Sequence, residues 1–241
     1  SMRTGRVDNS TLHRYLNDID PFFQLYLNHR REWVKAVTYI QRLSSARDDG
    51  SYSLEAAGNY TVKGERASRI SAPEEILRDL EEIGLISELS IEPEQSVSFR
   101  FRDGQIRSWL RDVGSVLELY VYKICLDTGL FQDVISSAVV EWESTGSRNN
   151  VTNEIDVLCT SGITPLFISC KTCDARTEAL NELAILRDRF GGQIARAAIV
   201  TAEKGGVPLR NRAAELGITV IDLNDLTAGN LNRRIRKLMQ E

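Results

Sequence analysis

Apolar residues recur at helical spacing in DPFFQLYLNHRREWVKAVTYIQRL, residues 20–43. The pattern predicts helix through this stretch, with Asp20-Pro21 as its start signal. SSARDDGS then reads as a turn or loop. In SAPEEILRDLEEIGLI, Ser71 and Pro73 precede a first turn holding Glu74 and Glu75. Ile76, Leu77, Leu80 and Ile83 form one apolar face, and Gly84 ends the helix. SELSIEP and SVSFRFRD alternate as two short strands around EPEQS.

Beyond residue 105 the pattern changes. IRSWLRDVGSVLELYVYKICLDTG predicts one long helix ending near Gly129. Three strands follow in DVISSAVVEWES, NEIDVLCT and PLFISCKT. ARTEALNELAILRDRFGG is a helix with a Gly-Gly stop, ARAAIVTA a short buried strand, VPLRNRAAELG a helix, ITVIDL a strand, and NLNRRIRKLMQE a closing helix. The order α-β-β-β-α-β-α-β-α opens a sheet with hairpins and finishes it with crossovers, which gives a mixed sheet between helices. The fold class expected is α/β. Residues 1–103 form a helical, winged-helix-like domain, and 104–241 a second domain built on the mixed sheet.

The winged-helix pattern does not by itself mean DNA binding. The helix in the recognition position carries Glu74, Glu75, Asp79, Glu81 and Glu82 against one Arg78, and phosphates repel such a surface. A structural or dimerising role fits that charge better. The whole chain of 241 residues has a net charge of −4 and a pI near 5.4. This argues against non-specific coating of nucleic acid while leaving room for a local basic groove. Apolar residues make up 42%, enough for a sizeable core, yet no run is long enough to cross a bilayer. With no signal peptide, a cytoplasmic protein with no membrane partner is expected. Cys125, Cys159 and Cys170 sit in apolar or strand contexts, and Cys173 makes a C-x-x-C with Cys170. With no second Cys or His pair close in sequence, all four read as reduced thiols rather than a zinc site.

Candidate chemistry centres on NEIDVLCTSGITPLFISCK, residues 153–171. Side chains alternate along a strand. Phe167, Ser169 and Lys171 therefore share one face of the later strand, and Asp156 and Leu158 share a face of the earlier one. Glu154 is assigned to the face opposite Asp156. A tight turn at Ser161-Gly162 makes the strands antiparallel neighbours, which brings Asp156 near Lys171. Glu118 lies in VLELYVY, apolar nearly all round and so buried. A carboxylate there needs a cation or a partner. Two carboxylates beside a lysine can hold a hard divalent cation and stabilise charge on a phosphodiester. They can equally form an ion pair that closes the helix onto the sheet.

The order of helix Glu118, strand Asp156 and next-strand Lys171 resembles the PD-(D/E)xK restriction-endonuclease-like fold. GSVLELYVY, NEIDVL, LFISCKT and RFGGQIARAAIV look like the nuclease domain of the CRISPR-ancillary family, whose members join a CARF sensor domain, often a winged-helix region, and this nuclease. The resemblance covers roughly residues 70–225. It implies Glu118 as the helix acid, Asp156 as the central metal-binding acid, the Cys170 carbonyl as a metal ligand and Lys171 as the catalytic lysine, with Mg²⁺ or Mn²⁺ as cofactor. Ser169 departs from the family pattern, which has Glu or Asp there and so binds metal more strongly. Glu178 and Glu143 are the candidate replacements. Arg148 in TGSRNN and Lys204 in TAEKGG offer phosphate contacts or ordinary solvated loops. NRRIRKL reads as a favourable basic helix end, and Trp33, Trp109 and Trp142 as core or interface anchors.

The function expected is a nuclease module hydrolysing DNA or RNA, as the effector part of a CRISPR-associated or other defence protein, acting as a homodimer. Residues 1–70 are too short and too helical for a CARF sensor, so cyclic oligoadenylate is a partner only if the full-length protein carries one. Two alternatives stand beside this reading. One is a catalytically weak domain kept for nucleic-acid binding or dimerisation, and the other a transcription-factor-like winged helix with a non-enzymatic partner domain.

Overall fold

A computed structural model describes residues 9–44, 53–64, 68–142, 151–173 and 175–240. The loop expected after residue 44, together with Glu143 and Arg148, lies outside the described residues. The chain divides into two compact units. One is Asn17–Val116; the other is Leu117–Glu241 with the described residues up to Leu16.

The first unit begins with helices. After the turn α1 (Asn9–Leu12), which belongs to the other unit, helix runs as α2 (Leu16–Asn28) and α3 (Trp33–Leu43). The stretch expected as one helix is thus two. Pro21 lies inside α2 rather than at its start; the chain is already helical from Leu16, so the proline's fixed φ fits. Strands β1 (Glu55–Asn59), β2 (Thr61–Lys63) and β3 (Arg69–Ser71) follow, then α4 (Glu74–Glu82), β4 (Ile86–Glu92) and β5 (Ser96–Phe101). Strand β1 pairs antiparallel with β5, completing a three-stranded sheet in the order β1-β5-β4. EAAGN carries neither β-branched nor aromatic residues, which is why its strand was not expected. Phe22 anchors the core, edge-on to Trp33 and stacked on Trp109 of α5 (Gly104–Trp109). Both tryptophans are therefore core residues.

The expected long helix is broken. After α5, helix resumes as α6 (Ser115–Thr128). The carboxylate of Asp112 accepts from the backbone N–H and the hydroxyl of Ser115, a capping contact that starts a new helix.

In the second unit, β6 (Asp133–Trp142), β7 (Val151–Ser161), β8 (Thr164–Lys171), β9 (Arg196–Thr201) and β10 (Thr219–Ile221) form one sheet in the order β10-β9-β8-β7-β6. The β6–β7–β8 part is antiparallel, and the β8–β9–β10 part parallel. The connections supply α7 (Thr177–Phe190) and α8 (Val207–Glu215), and α9 (Leu223–Thr227) and α10 (Leu231–Gln240) close the chain. The mixed sheet between helices is the expected α/β architecture.

Alternation along β7 and β8 decides which helix covers which face. Leu158 and Phe167 pack with Leu180, Leu183 and Leu186 of α7. On the other face, Cys159 interacts with Cys125 of α6. After α7, Gly191 allows close approach: a Cβ there would stand 2.8 Å from the Phe167 ring.

Candidate active site

The β7–β8 ladder runs from the hairpin turn only as far as Val157 and Ile168. Beyond that pair the strands part. Strand β8 stays with β9 through Lys171, opposite Thr201, while β7 stays with β6. Asp156 and Ser169 are the first residues past the parting, so they sit at the apex of a wedge.

Asp156 bridges this wedge. Its Oδ2 accepts a hydrogen bond of 2.6 Å from the Cys170 amide and one of 3.2 Å from the Ser169 hydroxyl. The Lys171 ammonium lies 3.8 Å from the same oxygen. Because N–H and C=O of one residue in an extended strand point to the same side, the Cys170 carbonyl also faces the wedge. The Asp156 side chain is 16% exposed and that of Lys171 37%, so this corner opens to solvent.

Glu118 is half-buried in the first turns of α6. Its influence is seen at Cys170. Burial pushes that thiol well above the ordinary value, the negative charges of Asp156 and Glu118 raise it further, and the Lys171 cation opposes them. One sulfur thus senses all three charged groups expected at the site.

The sequence reading of the acids needs correction in two places. Glu154 is brought to the same cleft as Asp156. Both line a cleft of about 70 Å³ with Ser169, Lys171 and Glu182. On α7, Glu182 and not Glu178 lines this cleft; Glu178 is exposed one turn earlier. The cleft is far smaller than a typical small-molecule site, roughly 300–1,000 Å³.

A further feature was not anticipated. Ser137 of β6 has φ +53°, a left-handed conformation uncommon for a residue with a side chain. It falls at the one position skipped in the ladder, between the pairs Ser136–Val157 and Ala138–Ile155. That position faces Asp156. Nothing in the composition of DVISSAVVEW signals it.

Lys204 is exposed in the loop after β9, three residues past Thr201, which pairs with Lys171. It therefore lies beyond the same end of the sheet. Cys173 is exposed, whereas Cys125, Cys159 and Cys170 are buried. A separate cavity of about 270 Å³ is lined by Arg210, Arg234 and Ile218; its arginines already pair with Asp222 and Asp225.

The donors at the wedge are hard oxygens, the class that Mg²⁺ and Mn²⁺ take. Among the described residues no three Asp, Glu, His or Cys side chains are grouped to hold an ion. The set thus fits a hard divalent cation held by few carboxylates and completed by carbonyl and water.

The family model described as Card1-like, endonuclease domain, matches residues 107–240, more than half of the chain. The chain belongs to the Card1-like endonuclease family. No curated protein matches the sequence. Among solved structures, VC1899 from Vibrio cholerae superposes with a TM-score of 0.64 at 22% identity, covering 92% of this chain and 56% of that one. Can2 from Sulfobacillus thermosulfidooxidans, solved in complex with cyclic tetra-adenylate, superposes at 0.61 with 15% identity, covering 99% of this chain and 58% of that one. At such identities the likeness shows a shared fold. The chain spans a little over half the length of either structure. The Card1-like endonuclease domain thus includes Asp156, Ser169, Lys171 and Glu118, and its first matched residues belong to α5.

Proposed function

We propose that the chain is a metal-dependent nuclease hydrolysing phosphodiester bonds in DNA or RNA, and that it serves as the effector part of a CRISPR-associated defence protein. The observation that carries this reading is the Asp156 carboxylate in the strand wedge, 3.8 Å from the Lys171 ammonium, within a chain of the Card1-like endonuclease family.

In this mechanism Asp156, Glu118 and the Cys170 carbonyl would hold Mg²⁺ or Mn²⁺. The bound cation would polarise the phosphodiester and make a water more acidic. The Ser169 hydroxyl and the Cys170 amide fix the Asp156 carboxylate in one orientation. Lys171, partly exposed at the mouth, faces the scissile phosphate and stabilises its developing negative charge. Water oxygen bonds to phosphorus as the bond to the leaving oxygen breaks; the water gives a proton to solvent and the leaving oxygen takes one from it. The products are a phosphate monoester and a free hydroxyl. Arg148 and Lys204 serve as phosphate contacts flanking the cut. The active form is a homodimer in the cytoplasm. Cyclic oligoadenylate acts as activator where a sensor domain accompanies the chain.

Ser169, in place of a third acid, favours a second reading, a catalytically weak domain that binds without cutting. One experiment separates them. The parent chain and Lys171→Ala are incubated with single-stranded and duplex DNA and RNA in Mg²⁺ or Mn²⁺. The nuclease reading expects cleavage that falls at least about a hundredfold in the variant. The exposed lysine's ion pair predicts a stability change below about 1 kcal/mol. A parent that cuts none of the substrates would leave only the binding reading.

A further inference from the structure

The first unit is electrically divided. Helix α4 carries five acids and one arginine, and its acids hold His29, Tyr60 and Arg78. A different surface of the same unit, between α3 and the β2–β3 ribbon, has the opposite character. Two adjoining grooves share Arg69. One, of about 600 Å³, is lined by Arg42, Thr61, Val62, Lys63 and Arg69 among others. The other, of about 570 Å³, includes Lys35, Thr38, Ser68, Arg69 and Ser71. Among the described residues their lining holds four cations, Lys35, Arg42, Lys63 and Arg69, against one acid, Glu32. All four cations are exposed. Among the described residues, Lys35, Lys63 and Arg69 have no carboxylate partner, unlike Arg78, Arg100 and Arg102 elsewhere in the unit.

We propose that this groove is a second nucleic-acid surface, distinct from the cleavage wedge, and that it grips the phosphate backbone of a duplex. Two observations select this occupant. A row of exposed cations suits phosphate oxygens, which take hydrogen bonds from Lys and Arg. Among the described residues no aromatic ring lines either groove. Single-strand sites ordinarily stack bases on aromatic side chains, so a groove without them reads backbone and not bases. The surface is consequently indifferent to sequence. The acidic face of α4, where a recognition helix was expected, takes no part.

The test uses the full chain in EDTA, so that binding is read without cleavage and independently of whether the wedge cuts. Affinity for a fluorescent 25-base-pair duplex is measured by anisotropy across a salt series, alongside single-stranded DNA and a polyglutamate peptide. Lys63→Met/Arg69→Met and Lys63→Glu/Arg69→Glu are compared with the parent, and circular dichroism verifies folding. The Met pair keeps the test valid should the Glu pair unfold. The expected result is duplex binding weakened at least about tenfold, with the log–log salt slope reduced by nearly 2, since each phosphate contact contributes about 0.9. Arg78→Ala on α4 leaves both unchanged. An unaltered salt slope in the folded Met variant overturns the proposal. Tighter binding of the single strand, or equal binding of polyglutamate, overturns the choice of duplex backbone.

Discussion

Ser137 and Asp156 face each other across β6 and β7 at the one register position where the ladder skips a pair. On its other side Asp156 lies just past the last pair with β8. The residue is thereby released from regular pairing on both flanks, and its carboxylate reaches across to the Cys170 amide. A left-handed backbone at a residue with a side chain costs about 1–2 kcal/mol, and such strain persists where the surroundings enforce it.

Ser137→Gly should therefore stabilise the protein. Glycine accepts φ +53° without penalty but gives back part of the gain as unfolded-chain entropy. A net ~0.5–1 kcal/mol is expected, a rise of about 2 °C in Tm by calorimetry. A lower Tm would show that the Ser137 side chain contributes more than its backbone costs.

Asp156→Asn and Asp156→Ala should abolish cleavage alike but differ in stability. The Asn carbonyl can still accept from the buried Cys170 amide. Alanine leaves that N–H without its acceptor, a loss of about 1–3 kcal/mol. Urea unfolding of the two variants measures the gap; equal stabilities would mean the amide finds another partner.

Ser169→Glu restores the acid of the family pattern at the wedge. Mn²⁺ affinity should rise in calorimetric titration, together with any cleavage rate. Unchanged affinity would mean that another acid, such as Glu154, Glu182 or Glu143, already fills the place.

The thiols give a pH prediction. Cys125 and Cys170 are held well above the ordinary 9.0, and Tyr39 is pushed up to about 12 by burial and by Tyr60. In the unfolded chain these thiols lose protons near pH 9, while in the folded chain they keep them. The unfolded state then binds fewer protons, so stability is whole below about pH 9 and falls as pH rises beyond it. Chemical denaturation at pH 7 and pH 10 reads the loss. At neutral pH a thiol reagent should label Cys173 alone in the folded protein and four thiols after denaturation.

Much of the second unit was legible because its strands are apolar and separated by clear turn and helix signals. The antiparallel turn at Ser161-Gly162 and the two-residue alternation were enough to bring Asp156, Ser169 and Lys171 to one face. Three features were not legible, each for a local reason. The α5–α6 break depends on a cap by Asp112 inside an otherwise helical pattern. Strand β1 has weak strand propensity and exists through pairing with β5. The Ser137 kink is imposed by context, since serine has no preference for positive φ. Glu154 was assigned to the face opposite Asp156, yet both line one cleft beside the irregular Ser137 position.

The kink at Ser137 has a consequence for how molecules meet. Strand β6 is ten residues long and forms the outer strand of its sheet. A long, flat outer strand is an invitation for another chain to add itself by backbone hydrogen bonds and so seed aggregates. The left-handed residue at its middle divides that edge into two short runs, neither long enough to template an extended ladder. The residue that faces Asp156 thus also shortens the strand edge that β6 offers to another chain.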